Sequence, residues 1–267
     1  MYLHFLNGLR LGLRSRSFLG LALVGVLALG GALLAAEFSG RQPATVALDV
    51  GISAVRIIGV LLALFWVQEL FTRDTEQRVL HTVLSYPTRR ADYVLGRFGS
   101  VAVLLALALA GSGVLLALVG WLAGLGYSQP TPVSAGLSLV PLGLYLWLDL
   151  LTITAFAWLL TTLSTTPFLP FALGAAFAWA ARSLAPVLGY LVAGQGVMED
   201  LRGELYPVLN GLLWLLPDLS RLDLRPAVLY GQWPDPGFLG LAALNTLGYI
   251  ALLLGLAVWG FNRRELA

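Results

Sequence analysis

Residues 72–98 read TRDTEQRVLHTVLSYPTRRADYVLGRF, a polar stretch between two long apolar segments, and this contrast decides the fold. Charged residues make up only 11% of the 267 positions, hydrophobic residues make up 58%, and the mean hydropathy is +0.84. Ordinary soluble domains are about half apolar. The composition therefore predicts an all-α integral membrane protein, in which the polar stretch joins two spans.

Six segments are long and apolar enough to cross a bilayer, which requires about 20 residues of α-helix. They cover residues 17–36, 50–70, 98–126, 139–161, 168–193 and 237–260. Basic residues gather in cytoplasmic loops, and a cytoplasmic N-terminus places most of the arginines inside. We therefore expect residues 1–267 to form one six-span transmembrane domain with both termini in the cytoplasm.

Two further segments flank the spans. In residues 1–16, leucines recur at the spacing of one helical face while polar residues occupy another. The leucines are Leu3, Leu6, Leu9 and Leu13, and the polar residues are Asn7, Arg10 and Arg14. This pattern predicts an interfacial helix on the cytoplasmic side. The alternatives are a simple positive anchor for the first span and, less favoured by the long amphipathic opening, a signal peptide.

Residues 194–236 form the second flanking segment, an outer loop before the sixth span. Short apolar turns alternate here with prolines and charges, which makes each turn too short to span. We expect one or two short re-entrant or surface helices in the outer leaflet. The alternative is a disordered linker, which the high leucine content disfavours.

The composition also excludes several chemistries. The sequence contains no lysine and no cysteine, so a phosphate-binding-loop lysine, a Schiff-base lysine and a thiolate metal site are all excluded. The two histidines, His4 and His81, lie outside the predicted spans and provide no paired haem ligands within the bilayer. We expect no catalytic residue, metal or cofactor in this chain.

Residues 72–97 are the cytoplasmic segment between the second and third predicted spans, and their sequence predicts a short helix. Asp74 and Glu76 suit its N-terminal turn and Pro87 suits its end. Its apolar positions share one face, and its polar positions share another. The apolar residues are Val79, Leu80, Val83 and Leu84, and the polar residues are Arg78, His81 and Ser85. A short rigid helix of this kind can transmit a displacement from a soluble partner to the two spans attached to its ends. The alternative is a solvated loop that only sets topology.

The same stretch resembles the cytoplasmic segment between the second and third spans of type-2 ABC transporter permeases. That segment carries an acidic residue, an apolar run ending in proline, a basic residue, and a glycine followed by a basic residue. The matching residues here are, in that order, Asp74; Leu80, Val83 and Leu84; Pro87; Arg89 or Arg90; and Gly96 with Arg97. Two departures are Arg78-Val79, where many members have Gly-Thr, and Arg97, where many have Lys.

The resemblance implies a permease subunit, usually an exporter, of a bacterial or archaeal cytoplasmic membrane. ATP and Mg²⁺ would bind to separate ATPase subunits, a second permease subunit would complete the path, and an outer-side partner is possible. The residues contacting the ATPase would be Asp74, Glu76, Arg78, Leu80, Leu84, Pro87, Arg89 and Arg90. Two other classes stay open: a membrane assembly or anchoring subunit without transport, and a membrane enzyme or secondary transporter using Asp149 or Glu69.

Three charges lie within the predicted spans: Arg56, Asp149 and Arg182. Counting 1.5 Å per residue from the outer ends, Asp149 lies about 15 Å deep and Arg182 about 17 Å deep. Opposite charges at matched depth on consecutive helices are expected to pair, because an unpaired charge there costs several kcal/mol. Arg56, about 9 Å deep, joins them or snorkels outward. The pair either fixes helix register or lines a transport path.

Overall fold

The computed structural model describes residues 2–76, 90–125, 136–164, 168–192 and 217–263, with the isolated positions 133, 166, 207 and 211. Within these ranges every regular element is helical, which confirms the all-α class for the described part of the chain. The elements are α1 (Tyr2–Leu13), α2 (Arg16–Glu37), α3 (Pro43–Glu76), α4 (Arg90–Gly124), α5 (Leu139–Leu163), α6 (Phe168–Val192), a 3₁₀ helix (Leu219–Leu222), α7 (Arg225–Tyr230) and α8 (Pro236–Arg263).

Six helices, α2 to α6 and α8, are long and apolar enough to cross a membrane, and each coincides with one predicted span. The main difference from the prediction is that two of these helices, α3 and α4, are longer than the predicted spans. Helix α3 has 34 residues and α4 has 35, about 50 Å each, whereas the hydrocarbon core is about 30 Å thick. Backbone hydrogen bonding continues beyond the apolar stretch, so both helices extend out of the predicted span.

Helices α3 and α5 form the centre of the bundle. Most of the α5 span and half of the α3 span are buried, whereas α2 is buried over only a small share of its length. The exposed side chains of α2 are mainly aliphatic, including Leu19, Leu23, Leu27 and Leu34. An aliphatic outer surface suits contact with lipid tails, which agrees with the spanning length of the helix.

Helix α1 packs on α4 through two glycines. Gly8 and Gly12 are buried, and a Cβ atom added at either one would overlap Ser100 or Leu104 of α4. The indole Nε1 of Trp66 donates a hydrogen bond to the Gly12 carbonyl, 3.2 Å away. The protein-facing side of α1 is therefore set by glycine rather than leucine, and Leu13 is 43% exposed. The interfacial location of α1 stays a prediction.

The predicted coupling helix lies mostly outside the described residues, which include neither Arg78, Leu80, Leu84, Pro87 nor Arg89. Asp74 and Glu76 belong to the final turn of α3, and Arg90 opens α4. The backbone of residues 74–76 is thus continuous with the second span, whereas the sequence pattern predicts the first turn of a separate helix there. The helical pattern of α3 carries on past its last apolar residue, which explains the difference.

The end of the predicted outer loop is packed onto the bundle. The 3₁₀ helix and α7 bury Leu219, Leu222 and Leu224, which are at most 3% exposed. Gly231, with a φ of 69°, closes α7 in the left-handed conformation that glycine adopts without strain. Residues 217–230 are therefore not a linker. Residues 194–216, apart from positions 207 and 211, lie outside the described part of the chain.

Candidate functional site: an alternating charge network

Six charged side chains form a series of contacts that runs from the interior of the bundle toward the end where α3 begins. Two come from α3, one from α5, one from α6 and two from the segment around the start of α7: Asp49, Arg56, Asp149, Arg182, Asp223 and Arg225. We call this set the charge network. Three carboxylates and three guanidinium groups alternate along it, so the network is formally neutral.

Asp149 is the most deeply buried member, with 1% of its side chain exposed. Its Oδ2 accepts hydrogen bonds from Arg182 Nη2 at 2.6 Å and Arg182 Nε at 3.2 Å, and from Arg56 Nε at 3.4 Å. The pairing that matched depth predicts between Asp149 and Arg182 is therefore confirmed. The hydroxyls of Thr152 and Thr154 donate to carbonyls of their own helix, so among the described residues the two arginines are the donors to Asp149.

Arg56 connects the buried part of the network to the loop. Its Nη1 donates to Asp223 Oδ2 at 2.7 Å, while its Nε points toward Asp149. The position of Arg56 follows from α3, since Asp49 lies seven residues earlier and two helical turns bring both residues onto one face. A single guanidinium thus bridges α5 and the segment before α7.

Arg225 holds that segment on α3. Its Nη1 lies 3.0 Å from Ser53 Oγ and 3.3 Å from Asp49 Oδ1, and its Nη2 lies 3.8 Å from Asp223 Oδ2. The backbone N–H of Arg225 also donates to Asp223 Oδ1 at 3.1 Å. Leu224, between the two charges, has no exposed surface. The segment is therefore fixed by one buried leucine with an ionic contact on each side.

The network runs from the interior to the surface. Side-chain exposure rises from 1% at Asp149 through 15% at Arg56 and 30% at Asp223 to 49% at Asp49. Ion pairs that are shielded from water are costly to break one partner at a time, whereas exposed pairs contribute little. Asp149 Oδ1 is buried and accepts no hydrogen bond from the described residues, so this oxygen is free to accept one further donor.

A second polar cluster lies at the other end of the bundle, beneath α1. Arg97, 1% exposed, places its guanidinium carbon 5.9 Å from the centre of the Tyr93 ring. Tyr93 in turn stacks on Phe261 of α8, and the edge of His4 from α1 meets it, each at 5.6 Å. The last residue of the permease-like pattern is therefore buried where α1, α4 and α8 meet.

Sequence reasoning found half of the charge network and missed the other half. It identified Arg56, Asp149 and Arg182, which the structure brings together, and missed Asp49, Asp223 and Arg225. Two signals were present: the seven-residue spacing of Asp49 and Arg56, and the Asp-Leu-Arg sequence at residues 223–225 inside a leucine-rich segment. Glu69, thirteen residues beyond Arg56 on α3, is about 20 Å along the helix from it and is not a member.

No family model matches the chain, and no curated protein is significantly similar to it.

Proposed function

We propose that this chain is the membrane-spanning permease subunit of a type-2 ABC transporter, working with separate ATPase subunits and a second permease subunit. The observation that carries the proposal is the polar stretch between α3 and α4, whose residues resemble the coupling segment of that family. Six helices of spanning length and the absence of any lysine for a phosphate-binding loop support it. ATP and Mg²⁺ would bind on the partner ATPase.

The length of α3 supports a mechanical role for the polar stretch. One uninterrupted helix runs from Pro43 to Glu76, with the polar stretch at one end and the charge network at the other. Arg56 lies twenty residues from Glu76, about 30 Å along the helix axis. A displacement imposed by an ATPase on the polar stretch therefore reaches Asp49 and Arg56 through a rigid element. In this proposal the charge network is the outer part that responds to the ATPase.

The proposed orientation places both termini and the polar stretch in the cytoplasm of a bacterial or archaeal cell, with the charge network toward the outside. The distribution of arginines supports it, because most of them flank the cytoplasmic ends of the spans. Export is the direction that the family resemblance favours. Helix α1 would then lie at the cytoplasmic interface, next to the ends of α4 and α8.

The proposal is tested by crosslinking and by coupled activity. The chain contains no cysteine, so Leu80→Cys or Leu84→Cys introduces a single reactive thiol in the polar stretch. We expect crosslinks from these positions to a co-purified ATPase. Arg78→Glu and Arg89→Glu should leave ATP hydrolysis running while transport falls at least tenfold.

The matched control is Arg41→Glu, in the exposed turn between α2 and α3, at the end of the bundle away from the polar stretch. This variant should keep coupled transport. Full coupled transport by the Arg78→Glu and Arg89→Glu variants, with no crosslink to an ATPase, would contradict the proposal. Stable purification without any ATPase would instead favour an anchoring subunit.

A further inference from the structure

Three arginines surround the junction between α1 and α2, and we call them the arginine rim. Arg10 lies in the last turn of α1, Arg14 lies in the turn that follows, and Arg16 is the first residue of α2. All three are exposed. Within the described part of the chain, none of them forms an ion pair or a hydrogen bond with a carboxylate. By contrast, Arg56, Arg182, Arg221 and Arg225 each lie against an aspartate.

The backbone beneath the arginine rim is firmly held. Gly8 and Gly12 fix α1 against α4 at close range. Ser15 is fully buried, and its Oγ caps α2 by accepting the Phe18 N–H at 3.0 Å. The Phe18 ring stacks on Trp66 with its centre 5.7 Å away. The three guanidinium groups therefore project from a rigid corner, and little conformational entropy of the backbone is lost when they bind a ligand.

The arginine rim lies where an apolar span begins. Helix α2 is apolar from its second turn onward, and the exposed neighbours Leu13 and Leu19 present aliphatic surface beside the charges. The same end of the bundle carries Arg263, whose guanidinium carbon lies 4.1 Å from the centre of the half-exposed Trp259 ring. Arginine and tryptophan side by side at a helix end are typical of the boundary between hydrocarbon and headgroups.

A guanidinium group matches the geometry of phosphate oxygens and binds them in a bidentate manner. Free phosphate has no apolar group that could contact the leucines beside the arginine rim. A phospholipid can place its phosphate over the arginines and its acyl chains along the leucines. We propose that the arginine rim is a binding site for the phosphate headgroup of anionic phospholipids. The proposal rests on the rim and its surroundings and does not depend on the transport function.

The test uses the full chain in bilayer discs containing equal amounts of phosphatidylglycerol and phosphatidylcholine. Native mass spectrometry then gives the ratio of the two lipids that stay bound after the disc is removed. An arginine near an anionic surface contributes about 1 kcal/mol, or about fivefold in affinity. We expect the wild-type protein to retain phosphatidylglycerol preferentially and the triple variant R10Q/R14Q/R16Q to lose this preference by at least tenfold. Arg41→Gln, a lone exposed arginine at the other end of α2, should leave the ratio unchanged.

A second experiment uses only the wild-type protein, so it still tests the proposal if the triple variant inserts poorly into the membrane. The preference of the wild-type protein for phosphatidylglycerol should fall as ionic strength rises, because salt screens exposed charges, and millimolar inorganic phosphate should not displace the lipid. Equal retention of both lipids by the wild-type protein, or an unchanged ratio in the triple variant, would overturn the proposal. Displacement by inorganic phosphate would identify a soluble-anion site instead, and recovery of an acidic protein with no lipid preference would identify a protein interface.

Discussion

Asp149 is the residue on which the buried half of the charge network depends, because it accepts hydrogen bonds from both Arg56 and Arg182. We expect Asp149→Asn and Arg182→Gln each to lower the free energy of unfolding by about 3 kcal/mol, since each change leaves a partner charge buried. The double variant should cost clearly less than the sum of the two. Titration with a denaturing detergent in mixed micelles measures all four proteins.

The matched control for that cycle is the pair Asp218 and Arg221, in which the Arg221 side chain is 52% exposed and that of Asp218 is 17% exposed. Arg221→Gln should change the free energy of unfolding by less than about 1 kcal/mol, because water already screens this pair. Strictly additive effects of Asp149→Asn and Arg182→Gln would show that the two side chains act independently, against the geometry described above.

The two arginines that contact Asp223 are not equivalent. Arg56 is 15% exposed and lies against two carboxylates, one of them Asp149, whereas Arg225 is 26% exposed and pairs with the half-exposed Asp49. We therefore expect Arg56→Gln to lower the free energy of unfolding by about 3 kcal/mol and Arg225→Gln by about 1 kcal/mol. The same detergent titration compares them, and an equal loss for both would contradict the burial gradient.

At the scale of single elements, the docking of α1 rests on Gly8 and Gly12. A Cβ atom at Gly8 meets the Cβ of Ser100, which cannot move without its backbone, whereas one at Gly12 meets the flexible end of Leu104. Gly8→Ala should therefore loosen α1 more than Gly12→Ala does. Cysteines introduced at Phe5 and Gly99, whose side chains would be neighbours, report this through the yield of a short thiol crosslinker.

Gly20→Ala on α2 is the control for that experiment, because nothing lies within 4 Å of its added Cβ. Its crosslinking yield should equal that of the parent chain. A yield that falls equally in all three variants would mean that helix α1 is held by something other than close glycine packing.

The segment containing the 3₁₀ helix and α7 is a packed element rather than a loop. Leu224 is fully buried between Asp223 and Arg225, so Leu224→Ala removes the apolar contact and should cost about 2–4 kcal/mol. Hydrogen exchange measures the effect directly. Backbone amides of residues 219–229 should exchange slowly in the parent chain and markedly faster in the variant. Fast exchange in the parent chain would contradict the packing.

For the whole molecule, six crossings by the described helices would place α1 and the end of α8 on the same side of the membrane. We expect a single cysteine at Ser39, in the turn after α2, to react with an impermeant thiol reagent from the side opposite to one at Asn262, near the end of α8. Labelling of both positions from one side only would mean that one of the six helices does not span.

The sequence predicts the six spans well because spanning is a property of each segment alone: length and apolar content decide it. The depth of a residue within a span also follows from the sequence, at 1.5 Å per residue, and it predicts that Asp149 and Arg182 lie at the same level. The sequence of one segment does not determine which neighbouring helix a given face of that segment contacts. Arg56 meets partners 93 and 167 residues away, and Arg225 meets Asp49 across 176 residues, contacts that only the packed bundle brings about.

The charge network also carries an implication for how the chain is made. When helices enter the bilayer in the order of translation, α3 is the first to carry members of the network, Asp49 and Arg56. Asp149 then enters opposite Arg56, and Arg182 enters opposite Asp149. Asp223 and Arg225 come last and find Arg56 and Asp49 in place. From α5 onward, each charge of the network finds an opposite charge of the network already synthesised, so the charges alternate in sign along the sequence as well as along the network.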